Sequence, residues 1–175
     1  MRGHYLLVVS DWGRRTYGQP CRECGYDWSL SEEGAVELVS EMPEILREAI
    51  RGKDVSKRHP DLSWSVLEYL CHVADNLRIS AERLVGIAAG APREISTYDQ
   101  DLLAVARNYA AVPLEGALWS LERAVSDWKD AIKIASQAEV VLLHPERGDQ
   151  TVRDVCLNNA HDANHHRWDI ERTLR

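Results

Sequence analysis

Residues 63–90, SWSVLEYLCHVADNLRISAERLVGIAAG, decide the fold class of this chain. Their apolar side chains recur at intervals of three and four residues, the spacing that places them on one face of an α-helix. Ser63 can cap the start of this helix, and Gly90 followed by Pro92 ends it. The segment therefore predicts a long amphipathic helix that buries one stripe, made of Val66, Leu70, Val73, Leu77, Ala81, Leu84 and Ala88.

Three further segments repeat this period. The first begins with a capping-box pattern at Ser29, the third begins at Pro113, and the fourth begins with a second capping-box pattern at Thr151. Amphipathic helices of this kind can bury their stripes only against one another. We therefore expect an all-α four-helix bundle over residues 29–175, in which the long connection between the second and third helices permits a crossover.

The segments between these helices carry weaker signals. A short helix is expected within residues 101–110, because long structureless loops are uncommon in compact domains. Residues 140–143 are expected to pack as a brief extended piece. Residues 1–28 are rich in glycine and proline and are expected to form an irregular N-terminal extension, and a short strand at residues 5–9 is the alternative for its first part.

The composition excludes several classes of function. Hydrophobic residues make up 45% of the 175 residues and charged residues 28%, which is typical of a globular domain. The net charge of -7 makes the chain a poor candidate for binding nucleic acid or an anionic membrane. No apolar run approaches the roughly 20 residues that span a bilayer, and residues 5–9 are too short for a signal-peptide core. We expect a cytoplasmic protein that acts on a small molecule.

Two of the four cysteines lie close together in the N-terminal extension. Cys21 and Cys24 form a C-x-x-C-G turn, which is half of a zinc knuckle, because two thiolates at this spacing can reach one metal ion. A complete site needs two more ligands, which His4, His59 or His144 could supply only by folding back. A redox dithiol and a surface turn with two free thiols are the alternatives.

Three of the seven histidines are concentrated in the fourth helix. His161 and His165 are four residues apart, so both imidazoles project from one face at the spacing that a divalent metal accepts from a helix. His72 on the second helix could supply a third nitrogen and leave coordination positions open for water or substrate. Asp162 and His166, also four residues apart, form a rival pair. Ordinary surface histidines are the remaining interpretation.

The motifs around these histidines resemble a known family. WSVLEYLCHVAD, which contains Glu68 and His72, is similar to the second-helix signature of the DinB-like (YfiT-like) metalloenzymes, and HDANHHRWDIERTL is similar to their H-x-x-x-H signature on the fourth helix. The resemblance covers residues 29–175. It implies a four-helix bundle with an unusual crossover connection and a divalent ion held by His72, His161 and His165.

The resemblance also implies a kind of chemistry. Members with assigned activities act with low-molecular-weight thiols and include mycothiol-dependent maleylpyruvate isomerase and bacillithiol S-transferases. In such enzymes the metal activates a thiol, and zinc is the ion we expect here, with nickel as the alternative. The resemblance implies one difference from the mycothiol-dependent isomerases. Those enzymes carry a glutamate in place of one of the two fourth-helix histidines, and this chain has His161 at that position.

These observations lead to one main hypothesis. We expect a metal-dependent transferase or isomerase with a low-molecular-weight thiol as cosubstrate, in which the metal activates the thiol or water. Glu68 is the candidate catalytic side chain and would orient His72 from one turn away. The alternative is that Glu68 is an ordinary solvent-exposed residue of the helix. The alternatives are a bundle that binds a metal or small ligand without catalysis, and a structural interaction protein. Apolar residues on the second faces of the helices would suit a homodimer.

Overall fold

A computed structural model describes residues 10–175, so the strand considered at residues 5–9 lies outside the described part. Six α-helices, one 3-10 turn and a two-stranded hairpin follow one another along these residues. In chain order they are α1 (Trp12–Tyr17), α2 (Glu32–Ile50), α3 (Val66–Ala88), α4 (Gln100–Ala106), the 3-10 turn (Tyr109–Ala111), α5 (Leu114–Gln137), β1 (Val141–His144), β2 (Gly148–Thr151) and α6 (Val152–Leu174).

The four long helices form the predicted bundle. Helices α2 and α3 each pack against both α5 and α6, whereas α5 and α6 barely touch each other. Helices α2 and α3, although consecutive among the long helices, therefore occupy opposite corners of the bundle. The predicted all-α four-helix bundle is thus confirmed, and its helix order departs from a simple up-and-down bundle, in which consecutive helices are neighbours. The core residues with the largest fully buried side chains include Trp128, Met42, Leu46, Leu70, Leu77, Leu84, Leu121 and Ile170.

The two helices that carry the candidate ligands both begin with a capping box. At the start of α3 the backbone N–H of Glu68 donates to Ser65 Oγ over 3.3 Å, and the Glu68 carboxylate accepts from the Ser65 backbone N–H over 2.7 Å. Thr151 and Asp154 make the same reciprocal pair at the start of α6, as the sequence predicts. The cap of α3 lies two residues after the predicted Ser63. Both caps fix the first turn of a helix and satisfy backbone donors there.

Helix α2 also begins two residues later than predicted. The hydroxyl and backbone N–H of Ser29 both donate to Asp27 Oδ1, at 2.7 and 2.8 Å, so Ser29 belongs to a local turn. Ser31 takes the capping position and accepts from the Gly34 backbone N–H over 3.0 Å. The competing side-chain hydrogen bond therefore moves the start of the helix.

The hairpin closes one end of the bundle. Its strands are antiparallel, with Val141 opposite Thr151 and His144 opposite Gly148. Leu143 donates its backbone N–H to the Arg93 carbonyl over 2.8 Å and thereby ties the hairpin to the chain after α3. The extended piece predicted at residues 140–143 is thus β1, and the helix predicted within residues 101–110 is α4 followed by the 3-10 turn.

The described part of the N-terminal extension lies along the bundle and runs on to residue 31, because α2 begins later than predicted. It contains α1, where the sequence predicts only irregular chain. Gly13 is buried against Trp28 so closely that a Cβ built at Gly13 would lie 2.3 Å from the indole ring. The extension is joined to α6 where Ser10 donates its backbone N–H to Asp154 Oδ1 over 3.0 Å, and where Arg153 donates to the Leu30 carbonyl over 2.9 Å. No helix within residues 10–175 has the length and hydropathy needed to cross a bilayer.

Candidate metal centres

The structure does not bring the three predicted histidine ligands together. His72 on α3 faces one side of α6, whereas His161 and His165 point toward the N-terminal extension. Successive residues of an α-helix are about 100° apart, so two pairs of side chains offset by one residue point in different directions. Helix α6 carries two such pairs, and each pair contributes to a separate group of potential ligands.

The first group, the histidine–aspartate cluster, consists of His72, Asp162 and His166. His72 Nε2 lies 3.7 Å from Asp162 Oδ2, and His166 Nε2 lies 3.6 Å from Asp162 Oδ1. Bonds of about 2.0 Å to a tetrahedral ion place such atoms about 3.3 Å apart, so small shifts would let all three bind one ion. The rival pair of the sequence, Asp162 with His166, is therefore the pair that faces His72.

The buried ring nitrogens of His72 lack hydrogen-bond partners within residues 10–175, which is the feature expected of a metal ligand. His72 is 1% exposed, and neither of its ring nitrogens has a hydrogen-bond partner among the described residues. An unsatisfied buried polar group costs about 1–3 kcal/mol, and a metal ion would satisfy one of these nitrogens. His166 Nδ1 lies 3.1 Å from Asp169 Oδ2, which leaves His166 Nε2 directed toward Asp162. A carboxylate behind a histidine ligand is the usual support in metal sites.

The electrostatics of the cluster also suit a cation. Burial lowers the pKa of His166, but the neighbouring carboxylates of Asp162 and Asp169 outweigh it and raise the pKa to about 9. Burial likewise raises the pKa of Asp162, but the imidazoles of His166 and His72 outweigh it and hold that pKa well below its usual range. Without metal, a proton on His166 supplies the positive charge that faces these carboxylates. A divalent ion bound to His166 would replace this proton and supply the positive charge instead.

The second group, the cysteine–histidine cluster, consists of Cys21, Cys24, His161 and His165, with one potential ligand atom from each within 4.8 Å of the others. Cys21 Sγ lies 4.0 Å from His165 Nδ1, and His165 Nε2 lies 3.5 Å from Glu23 Oε2. Burial raises the pKa of Cys24 to about 11, so this thiol is protonated when no metal is bound.

Aromatic rings of the extension surround His161. The ring centroids of Tyr17, Trp28 and Tyr26 lie 4.4, 4.6 and 5.4 Å from the centroid of its imidazole. Burial lowers the pKa of His161 to about 4, so the imidazole is neutral near pH 7. Its Nε2 is buried and has no hydrogen-bond partner among the described residues.

The sequence analysis missed the partners of the C-x-x-C turn. Neither His59 nor His144 joins Cys21 and Cys24, and His4 lies outside the described residues. The signal was present, since C-x-x-C and H-x-x-x-H together are a complete set of four zinc ligands. Grouping the H-x-x-x-H pair with His72, as the family resemblance implies, leaves the two thiols without partners.

Glu68, the predicted catalytic side chain, belongs to neither group. Its carboxylate accepts from the backbone N–H and the hydroxyl of Ser65, both at 2.7 Å, and pairs with Arg58 at 2.7 Å. Burial would raise the pKa of Glu68, but these hydrogen bonds and the Arg58 charge lower it. The described contacts of Glu68 are therefore those of a helix cap.

A cavity of about 530 Å³ lies beside the histidine–aspartate cluster, and Asp162 forms part of its wall. Arg83 and Arg147 bring positive charge to the cavity, and their guanidinium groups lie 5.7 Å from the Tyr98 ring centroid and 4.2 Å from that of Trp12. Cavities of about 300–1,000 Å³ are typical of small-molecule sites. The other lining residues include Tyr17, Asn76, Ile79, Ser80, Leu142, His144, Gln150, Asn158, Asn159 and His161.

Comparisons with known proteins agree with this architecture. The family model of the DinB superfamily matches residues 42–170. The structure is similar to that of YfiT from Bacillus subtilis, described as a probable metal-dependent hydrolase with an unusual four-helix bundle topology. The TM-score is 0.71 and the sequence identity 19%, over 83% of this chain and 88% of YfiT, so the likeness shows the fold alone. No curated protein matches the chain.

Proposed function

The chain belongs to the DinB superfamily, and from this membership and the geometry of the histidine–aspartate cluster we propose that it is a divalent-metal-dependent enzyme acting on a small molecule. The observation that carries the proposal is the position of Asp162, which faces both His72 and His166 and also lines the cavity. A metal ion held by these three side chains would be adjacent to a molecule bound in the cavity.

The three side chains have the donor types of an open metal site. Two imidazole nitrogens and one carboxylate bind zinc, nickel, manganese or iron(II) and leave positions free for other ligands. When bound, such an ion supplies Lewis acidity and lowers the pKa of a coordinated water or thiol toward neutrality. The chain's own contribution is to hold the ligands. Asp169 orients His166 through its Nδ1, and Trp64 packs on His72 with 4.7 Å between ring centroids.

The cavity offers two guanidinium groups that could bind an anionic group of a substrate, while Glu146 and Asp162 place carboxylates elsewhere on its lining. Arg83 and Arg147 both line it, and a guanidinium group binds carboxylate or phosphate oxygens through its planar set of donors. Asn76, Ser80 and Asn158 add polar groups on neighbouring walls. A small anionic molecule would thus bind between the arginines and the carboxylate of Asp162, with the ligand cluster at one side.

Two nucleophiles are compatible with this arrangement. With water the reaction is a hydrolysis, the activity suggested for YfiT. With a low-molecular-weight thiol the reaction is a group transfer or an isomerisation. The motifs around His72 and His161 support the thiol hypothesis through the resemblance to thiol-dependent members of the family. Zinc, with nickel as the alternative, remains the ion we propose, and a homodimer remains a prediction.

The experiment compares metal-dependent turnover with the two nucleophiles. The protein is stripped of metal and reloaded with zinc, nickel or manganese. It is then assayed on a panel of anionic esters and amides, and separately on an electrophile with mycothiol, bacillithiol or coenzyme A. We expect turnover in one arm that is lost in His72→Ala and His166→Ala and kept in the control His59→Ala, which lies outside both clusters. Metal binding with no turnover in either arm would instead indicate a binding protein without catalysis.

A further inference from the structure

We propose that the cysteine–histidine cluster is a second metal site, a closed zinc centre that fastens the N-terminal extension to α6. It is independent of the histidine–aspartate cluster, because no ligand is shared between the two groups. Its role is structural rather than catalytic.

The donor set is the first argument. Two thiols from a C-x-x-C turn and two imidazoles from one helical turn make a Cys2His2 set, which is a common set for structural zinc. Four protein ligands fill a tetrahedral site and leave no position for water or substrate. Zn–S bonds of about 2.3 Å and Zn–N bonds of about 2.0 Å place sulfur and nitrogen about 3.5 Å apart in such a site. Cys21 Sγ and His165 Nδ1 are 4.0 Å apart, so only a small inward movement is needed.

The local backbone is the second argument. The Cys21 carbonyl accepts from the Gly25 backbone N–H over 3.0 Å, and Cys21 donates its own N–H to the Tyr26 carbonyl over 2.8 Å. Gly25 has φ +71°, a left-handed conformation that glycine adopts without strain. These bonds close a tight turn that turns both thiols toward α6. Asn164 of α6 donates to the Cys24 carbonyl over 3.4 Å and holds the turn against the helix.

The unpartnered polar atoms are the third argument, and they separate a metal site from a chance grouping. His161 is 6% exposed, and its buried Nε2 has no hydrogen-bond partner among the described residues. Cys21 is 3% exposed and is a free thiol, as is Cys24. Glu23 lies 3.5 Å from His165 Nε2 and orients that ring so that Nδ1 faces the thiols. A zinc ion would bind the two thiols as thiolates and would also give the buried imidazole of His161 a partner.

A zinc centre would add to the contacts that already hold the extension against α6. Helix α1 has six residues, too few to be stable without tertiary contacts. Binding of a structural zinc contributes directly to the free energy of folding of the segment that supplies its ligands. Trp12 and Tyr17 of this segment line the cavity, so the zinc centre would also hold one wall of the proposed substrate site in place.

Cobalt substitution tests the ligands directly. Co²⁺ in a tetrahedral site with thiolates gives a strong ligand-to-metal charge-transfer band and intense visible bands. We expect both in the wild-type protein and in His72→Ala. We expect the charge-transfer band to be lost in the double variant Cys21→Ser/Cys24→Ser, since cobalt bound at the histidine–aspartate cluster has no thiolate ligand. A matched control, Cys71→Ala, should keep this band because its buried thiol lies outside the cluster.

The outcomes are decisive in both directions. Loss of the thiolate band in His165→Ala but not in His166→Ala supports the proposal, and a Cys24→His variant should still bind one zinc ion at this site. A Cys21–Cys24 disulfide in protein purified without oxygen, or a thiolate band that survives His161→Ala and His165→Ala together, would overturn it. Because His72→Ala removes only the other site, failure of this proposal and failure of the proposed function are distinguishable.

Limited proteolysis tests the structural role without an assay of activity. Arg22 is exposed between the two cysteines and is a trypsin site. In the zinc-loaded protein the turn is held and cleavage after Arg22 should be slow. Zinc removal or the double serine variant should speed this cleavage many-fold while the helical far-ultraviolet spectrum of the bundle persists. Equal cleavage rates with and without zinc would contradict the fastening role.

Discussion

Replacing His72 with leucine should separate the cost of the buried imidazole from the benefit of the metal. Both ring nitrogens of His72 are buried without hydrogen-bond partners, and leucine has a similar size with no polar atom. Leaving a buried polar group unsatisfied costs about 1–3 kcal/mol. Without metal we therefore expect His72→Leu to raise the free energy of unfolding by about 1 kcal/mol, the lower end of that range, since the contact with Asp162 at 3.7 Å is lost.

With metal bound, the wild-type protein should have the larger free energy of unfolding and His72→Leu the smaller. An ion that binds only the folded state stabilises it by about 2.7 kcal/mol at one hundred times its dissociation constant. Metal binding at the histidine–aspartate cluster gives this increase in the free energy of unfolding to the wild-type protein but not to His72→Leu. Urea unfolding of both proteins, with chelator and with excess zinc, measures the four free energies. The zinc-dependent gain from the cysteine–histidine cluster is common to both proteins and cancels in the comparison.

Two results together would show that His72 is not a metal ligand. If His72→Leu is less stable than wild type by more than about 2 kcal/mol in chelator, the imidazole makes a favourable interaction beyond its packing. If the zinc-dependent gain is also unchanged, His72 is not a ligand. The control His59→Leu, on a polar loop outside both clusters, should change neither the stability in chelator nor the gain by more than about 0.5 kcal/mol.

Three further predictions concern the extension, the cavity and alkaline pH. Gly13→Ala would place a Cβ 2.3 Å from Trp28, so it should destabilise the docked extension by about 1–3 kcal/mol and speed its proteolysis. Arg83→Gln removes one cavity cation and should raise KM or Ki for anionic ligands about tenfold while leaving metal content unchanged. Burial raises the pKa of Tyr69 to about 12, above its unfolded value, so its contribution to stability is complete below about pH 10 and is lost as pH rises toward 12.

Each of these has its own control. Gly116→Ala, where the nearest atom to a new Cβ is 3.9 Å away, should leave the extension protected, and equal proteolysis of the two glycine variants would contradict the packing argument. Arg123→Gln, on the exposed surface of α5, should not change ligand affinity. For Tyr69, a Tyr69→Phe variant should lose less stability than wild type between about pH 10 and 12, and identical curves would show that its ionisation is not coupled to folding.

The fold was predictable because it depends on local periodicity. The stripe that includes Leu70, Leu77 and Leu84 is set by sequence spacing, and these residues are indeed buried in the core. The helix starts were less accurate. Ser63 and Ser65 are two positions apart and both are of a residue type that caps helices. Only Ser65 caps α3, because its spacing from Glu68 completes a capping box.

The candidate site was predictable only in part, because it depends on the rotation of one helix about its axis. The pair containing His165 and the pair containing His166 have the same four-residue spacing, so spacing alone does not decide which pair faces α3. The path of the N-terminal extension determines which side chains face the pair of His161 and His165. It brings Cys21 close to His165, 144 positions away in the sequence. Such a long-range contact leaves no periodic pattern.

The metal content of His165→Ala and His166→Ala tests the central claim, that α6 supplies ligands to two separate metal sites. Both proteins are loaded with zinc, freed of excess ion and measured by elemental analysis, and each is then titrated with cobalt. We expect each variant to keep one ion per chain, with the thiolate charge-transfer band present in His166→Ala and absent in His165→Ala. If both variants lose the same ion, or if His166→Ala keeps as much metal as wild type, α6 does not supply ligands to two separate sites.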